Sequence, residues 1–399
     1  MSALRVLVVV QRYGVEVNGG AEQHARWLAE SLANRGHDVH VLTTCARDYT
    51  SWGNYYDAGE STLNGVRVHR CRVDAERDMD EFNKFSEQLD FAGYSHPTET
   101  EIRWLELQGP CSVSLDTWLV DHGITFDVVV PFTYLYRPSH HVIHRLSGVV
   151  PIVMHATAHD EPPFHLRLIQ NLIGRVDRFL CSTPEEADLL TSCLGPQTSC
   201  DVVGIGVPER PQVDADRELA ALGLGDTNFV LILGRVDGSK GVIEAVELFR
   251  QFRRHHDVDL HLVVAGQNVA GLASDDAVTL TGFVSDDQVT ALLQRARCLI
   301  QPSRFESFSL VLCEAWASGT PTLVTTGSDV LVGHTQRSRG GLIYDDAESF
   351  DDALLTLANH PERSQRFGTS GRRYVQALFS PDVVTSRIET VLRDALAGK

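Results

Sequence analysis

Four residues in the second half of the chain stand where they could handle an anion. The segment Gly234-Arg235-Val236-Asp237-Gly238-Ser239-Lys240-Gly241 follows an apolar run directly and opens a stretch with helical spacing. Arg235 and Lys240 bracket a glycine turn, and the predicted helix start beyond it would add free N–H groups and partial positive charge. A planar guanidinium fork beside a compact ammonium suits a diphosphate. The spacing is not that of the Walker loop. The plainer reading makes both residues solvated turn charges. A second motif, Pro302-Ser303-Arg304-Phe305-Glu306-Ser307-Phe308-Ser309-Leu310-Val311-Leu312-Cys313-Glu314-Ala315, follows the apolar Cys298-Leu299-Ile300. Glu306 precedes a predicted helix over 308–317, and Glu314 lies within it. Amid Val311, Leu312, Cys313, Ala315, Trp316 and Ala317, the Glu314 carboxylate is costly unless it has a partner. A pair of sugar hydroxyls would serve, and so would a buried arginine. The amides of Phe308, Ser309 and Leu310 fall at the helix start, where an anion is favoured.

Taken together, Gly-Arg-x5-Lys-Gly and Glu-x7-Glu resemble the retaining glycosyltransferases of family 4, which have the GT-B architecture of two Rossmann-like domains. The resemblance runs over nearly the whole chain. It takes in Gly19-Gly20-Ala21-Glu22, Thr183-Pro184-Glu185-Glu186 and Val203-Gly204-Ile205-Gly206-Val207. It implies a metal-independent hexosyl transfer with no cofactor, from a nucleotide diphosphate sugar to a hydroxyl acceptor on a cell-surface glycan or a natural product. By the same resemblance, Arg235, Lys240 and Gly234 bind the donor diphosphate. Glu314 holds the ribose hydroxyls, Glu306 contacts the transferred sugar, and Gly282 and Phe283 lie beside the nucleobase. Gly19 and Gly20 let the backbone approach phosphates or acceptor. The family commonly has glycine where Ser309 stands. A histidine is also expected to face the sugar from the loop His155-Ala156-Thr157-Ala158-His159-Asp160-Glu161-Pro162-Pro163. His159, farther into the loop, is preferred over His155 at the strand end. Asp160 and Glu161 would orient His159 or bind an acceptor hydroxyl; alternatively, this is a turn fixed by its two prolines. Two other functions stay open: a GT-B sugar nucleotide epimerase, and a non-catalytic nucleotide-sugar or carbohydrate binder.

Composition narrows the field further. The chain has 399 residues, 43% hydrophobic and 22% charged, with a formal net charge of −18, and both halves are acidic. An acidic chain lacks the basic face that nucleic-acid backbones require. No apolar run approaches the ~20 residues of a membrane span. The eight cysteines form no C-x-x-C pair, and no leader pattern precedes Val6–Val10, so the cytoplasm is the expected compartment. No metal site is expected, and the oligomeric state is left open.

The elements that must position these residues alternate strand and helix twice. Leu4–Val10 is a valine-rich run suited to a strand buried on both faces. Ala21, Ala25, Leu28, Ala29 and Leu32 then share one helical face, and Asp38–Thr44 makes the next strand. Further strands are predicted over 66–70, 127–131, 150–155, 178–182 and 199–203. A polar, aromatic and helical insertion near 74–122 would either shape a ligand site or cover the sheet. In the second half, strands are predicted over 229–233, 260–265, 278–281, 298–301 and 320–325. The fold class is therefore α/β, with two doubly wound parallel sheets facing across a cleft. The expected domains are 1–205 for the acceptor, 206–379 for the donor, and a terminal helix over 380–399 returning toward the first.

Overall fold

The computed structural model describes residues 2–17, 19–89, 91, 96–236 and 240–398. Asp237, Gly238 and Ser239 of the glycine turn lie outside the described residues. The chain divides into two compact units, one of residues 1–206 together with 381–399, the other of residues 207–380. Among the described residues, no helix is long and apolar enough to cross a membrane.

Among the described residues, the first unit has eight strands: β1 (Arg5–Val9), β2 (Asp38–Thr44), β3 (Gly59–Leu63), β4 (Val66–Cys71), β5 (Val128–Pro131), β6 (Val153–Met154), β7 (Arg178–Cys181) and β8 (Cys200–Val202). They form a five-stranded sheet in the order β3-β4-β2-β1-β5 and a three-stranded sheet β6-β7-β8. Parallel bridges Val129–Ile152 and Phe132–His155 carry β5 on to β6. The chain goes from β1 to one side and returns at β5 on the other, so the order switches beside β1. That is where open α/β sheets leave a crevice at the strands' carboxyl ends.

The sheet is not wholly parallel, as the sequence led us to expect. β3 pairs antiparallel with β4 at the edge, Leu63 opposite Val66. The two-residue link is Asn64-Gly65, with φ of 49° and 81°. Positive φ at both central positions makes the tight turn whose twist matches a hairpin. Because Gly59–Leu63 is polar and mostly exposed, it carries no hydrophobic alternation. Asn-Gly was its one signal.

Among the described residues, the insertion folds as three helices, Met79–Gln88, Thr98–Gln108 and Val113–His122. Trp104, Leu105, Leu115 and Leu119 join the unit's core, so the insertion covers the sheet. The buried Glu101 accepts from the Leu168 backbone N–H at 2.6 Å, tying this cover to the helix Arg167–Ile173. The helix Pro381–Ala397 buries Val384, Ile388, Val391 and Leu392 and packs against the helix Gly20–Asn34, β5 and β7.

Among the described residues, the second unit has one sheet of six strands: β9 (Phe229–Leu233), β10 (His261–Ala265), β11 (Val278–Gly282), β12 (Leu299–Gln301), β13 (Thr322–Thr325) and β14 (Gly341–Tyr344). Their order is β11-β10-β9-β12-β13-β14, and every pair is parallel. Along β9, Val230 and Ile232 enter the core on one face while Phe229 and Leu231 enter the core on the other. Two apolar faces explain the unbroken hydrophobic run. The order reverses between β9 and β12, so the loops after these two strands flank the switch point.

Candidate active site

At that switch point the two charged motifs meet. Gly241, at φ 66°, lies so close to Pro302 that an added Cβ would stand 2.4 Å from the Pro302 carbonyl oxygen. The left-handed backbone and the close approach both call for glycine here. With the loops in contact, Lys240 Nζ reaches Glu306 Oε1 at 2.9 Å. The Lys240 side chain is 39% exposed, against 12% for Glu306, so the pair sits at the rim with its cation outward. Arg235 is exposed just beyond β9.

The helix of the second motif starts later than the sequence suggested. It spans Leu310–Ala317 with Ser309 as its cap, so Leu310, Val311 and Leu312 carry the unpaired first-turn N–H groups. Phe308 lies outside the helix, its ring buried against His334 and Phe379. Ser309 adopts φ 65°, a left-handed conformation that costs a residue with a side chain. The departure from glycine thus has a local consequence, and Gln301 offsets it by donating to Ser309 Oγ at 2.9 Å.

Glu314 does have a partner, and it is an arginine. Arg210 Nη2 stands 2.9 Å from Glu314 Oε1, with side-chain exposures of 17% and 24%. Burial pushes the Glu314 carboxyl upward, and the Arg210 charge opposes that. Gly282 ends β11, and Phe283 beyond it is 78% exposed. An aromatic face left open at a strand's carboxyl end can stack on a planar ring.

In the first unit the histidine loop follows β6. His155 is fully buried, stacked on Phe132 at 4.8 Å and edge-on to His24 at 4.4 Å. Burial holds its imidazole well below the usual histidine range. As an enclosed ring it has no face for a ligand, which removes it from the candidates for sugar contact. His159 is 28% exposed, and its Nε2 lies 3.2 Å from Glu161 Oε1. The Tyr134 hydroxyl donates to the same oxygen. Glu161 therefore orients His159, whereas Asp160 turns away to His165 at 2.6 Å.

A second buried carboxylate holds this loop from below. Glu186 is 1% exposed and accepts from the Ala158 N–H at 2.7 Å and the Ser182 N–H at 2.6 Å. Burial pushes its pKa up to about 7, against the pull of these two bonds. The bond at Ala158 adjoins Thr157, a non-glycine residue at φ 50°. Glu186 was quoted in a motif without a role, and Tyr134 was not singled out at all.

Gly19 and Gly20 turn out to differ. A Cβ on Gly19 would meet Glu22 Oε2 at 2.2 Å, and Glu22 is pinned by Arg12 Nε and Gln11 Nε2, both at 2.8 Å. Gly19 is thus accounted for by this buried carboxylate. Gly20, the first residue of its helix, has nothing within 4 Å of a Cβ and faces open space.

The chain matches two family models, "Glycosyl transferase 4-like domain" over residues 19–206 and "Glycosyl transferases group 1" over residues 214–374. It is 26% identical to the glycogen synthase of Mycobacterium tuberculosis, over 99% of this chain and 96% of that one. Among solved structures it superposes on a sucrose-phosphate synthase from Thermosynechococcus elongatus with a TM-score of 0.75 and 18% identity, covering 99% and 100% of the two chains. The Anabaena protein HepE, solved in complex with UDP-glucose, gives a TM-score of 0.71 at 14% identity, covering 98% of this chain and all of the other.

Proposed function

Since this chain belongs to the group 1 glycosyltransferases of GT-B fold and moves a sugar from a nucleotide diphosphate sugar to an acceptor, we propose that it acts with retention of anomeric configuration, as a family 4 enzyme, without a bound divalent ion or cofactor. The observation that carries this reading is the meeting of Lys240 and Glu306 beside the start of the helix Leu310–Ala317. When the glycosidic bond to the donor breaks, the leaving diphosphate gains charge. Arg235, Lys240 and the first-turn N–H groups offset that charge from fixed positions. Held at 2.9 Å from the lysine, Glu306 faces the same place and contacts the transferred sugar. Gly234 lets the backbone run beside the diphosphate, while Gly282 and Phe283 take the base. Glu314 takes the ribose.

On the acceptor side, His159 faces the sugar with its ring set by Glu161. The acceptor hydroxyl attacks from the face the diphosphate leaves, and a diphosphate oxygen takes its proton. UDP-glucose is the first donor to try, because HepE was solved with it. The acceptor is a hydroxyl of a glycan or of a small natural product. All eight cysteines are free, which suits a reducing cytoplasm.

The test is a panel of nucleotide diphosphate sugars with and without candidate acceptors, read by product NMR in buffer containing a chelator. An α-linked donor should give an α-linked product. A β-linked product would overturn retention, and loss of turnover on chelation would overturn metal independence.

A further inference from the structure

Glu314 sits on a helix whose other inward residues are Leu312, Cys313, Ala315 and Trp316. An isolated carboxylate there would favour its neutral form. Its counter-charge comes from the segment Pro208-Glu209-Arg210-Pro211, which precedes the helix Ala215–Ala221. This strap is stiff and tethered. Pro208 fixes its own φ, and Pro211 confines Arg210 to extended backbone. Val207 N–H donates to the Phe379 carbonyl at 2.8 Å, and Gln376 Nε2 reaches Glu209 Oε1 at 3.4 Å. Among the described residues, Arg210 Nε is buried with no hydrogen-bond partner, and Nη2 faces Glu314. The guanidinium meets the carboxylate at Oε1.

We propose that Arg210 is a positioning residue for nucleotide recognition: by fixing the Glu314 carboxylate, it presents that group as the acceptor for a ribose hydroxyl and gives the donor site its preference for ribonucleotides over deoxyribonucleotides. The proposal rests on the reading of Glu314 as the ribose-holding residue. The negative charge of Asp286 also acts on Glu314 and opposes its ionisation.

Calorimetry of the full chain with UDP, 2′-deoxy-UDP and 3′-deoxy-UDP, and with the same guanosine set, tests this without an acceptor. Wild type should bind one ribonucleotide about 10- to 100-fold more tightly than its weaker deoxy form, as one charge-assisted hydrogen bond allows. In Arg210→Met that ratio should fall below about threefold, while affinity for the weaker deoxy form stays within about threefold of wild type. Arg210→Lys, which keeps the charge without the fork, should fall between. Raising the pH should restore the ratio in Arg210→Met as Glu314 ionises, an effect that lost packing alone would not produce. A folded Arg210→Met or Arg210→Lys protein with the full wild-type ratio overturns the proposal. Glu314→Gln separates the two ideas. If it keeps the ratio, the reading of Glu314 is wrong; if it loses the ratio and Arg210→Met does not, only the role of Arg210 fails. Wild type that binds none of these nucleotides sinks both.

Discussion

The loops around Lys240 and the loop around His159 solve opposite problems. In the second unit the charges face outward: Arg235 is exposed and Lys240 is 39% exposed, with Glu306 below it. The glycine contact at Pro302 brings the two loops together, and the largely buried Glu306 holds Lys240. In the first unit the loop presents a part-exposed histidine, and carboxylates set its ring and its backbone. Glu161 sets the ring, Glu186 holds the backbone, and Glu101 fixes the helix that follows. On the proposed function, one region is tuned by what its charges do to a ligand, the other by what its carboxylates do to the chain. Damage to the first should appear in turnover, and damage to the second in stability and pH dependence.

The largest effect should come from Arg235→Ala. Removing a donor to developing charge costs about 10²- to 10³-fold in turnover. Because the side chain is exposed, the melting temperature should stay within about 2 °C of wild type. A variant that melts early but turns over normally would reverse the contrast between the two regions.

Next comes Glu186→Gln. An amide cannot accept from both Ala158 and Ser182 through the geometry a carboxylate uses, so one buried N–H loses its partner at about 1–3 kcal/mol. Urea denaturation should find this loss, with turnover reduced and donor affinity unchanged. The pH dependence has a definite sign. The folded pKa of Glu186 is raised from an ordinary 4.5 to about 7. Its contribution is therefore fully present below the unfolded value and is lost as pH rises through 7, on the order of 3 kcal/mol. Stability of wild type should fall between about pH 4.5 and 7 on this account. The Gln variant should lack that limb, which comparison of the two melting curves against pH will decide.

The smallest effect should lie at Ser309. Ser309→Ala loses the Gln301 bond and keeps the left-handed backbone, costing about 1 kcal/mol. Ser309→Gly loses the same bond and relieves the strain, so it should be close to neutral. If both cost the same, strain at this position is not what glycine would relieve.

The legibility of these regions follows the same division. Arg235, Lys240 and Glu306 could be singled out because charged residues beside glycine or a helix start, directly after an apolar strand, are local patterns. The alternation of apolar runs with helical faces likewise made the central strands readable, since strands such as β1 and β9 are buried along almost their whole length. Buried partners are not local. Arg210 comes from a proline-rich stretch without periodicity, and only the fold brings it to Glu314. Glu186 lies on a helix with acids at adjacent positions, and nothing in that spacing says which one turns inward. His155 and His159 are separated by their burial, to which the order of residues in a loop gives no more than a hint. The edge strand β3 escaped notice because its residues are polar on both faces. The start of the helix Leu310–Ala317 was set early because Ser309 has a backbone conformation that residue type alone would not suggest.

One feature of the chain path bears on how the molecule is made. The first unit is completed by the helix Pro381–Ala397, so residues 207–380 are inserted within it. Where the inserted unit begins and ends, Val207 and Phe379 are hydrogen-bonded. During synthesis the second unit therefore has all of its residues before the first has its last helix. The apolar seat for Val384, Ile388, Val391 and Leu392 stays uncovered until then. Until the residues of that helix are made, the first unit carries an open apolar seat on which an unfinished chain can misassemble.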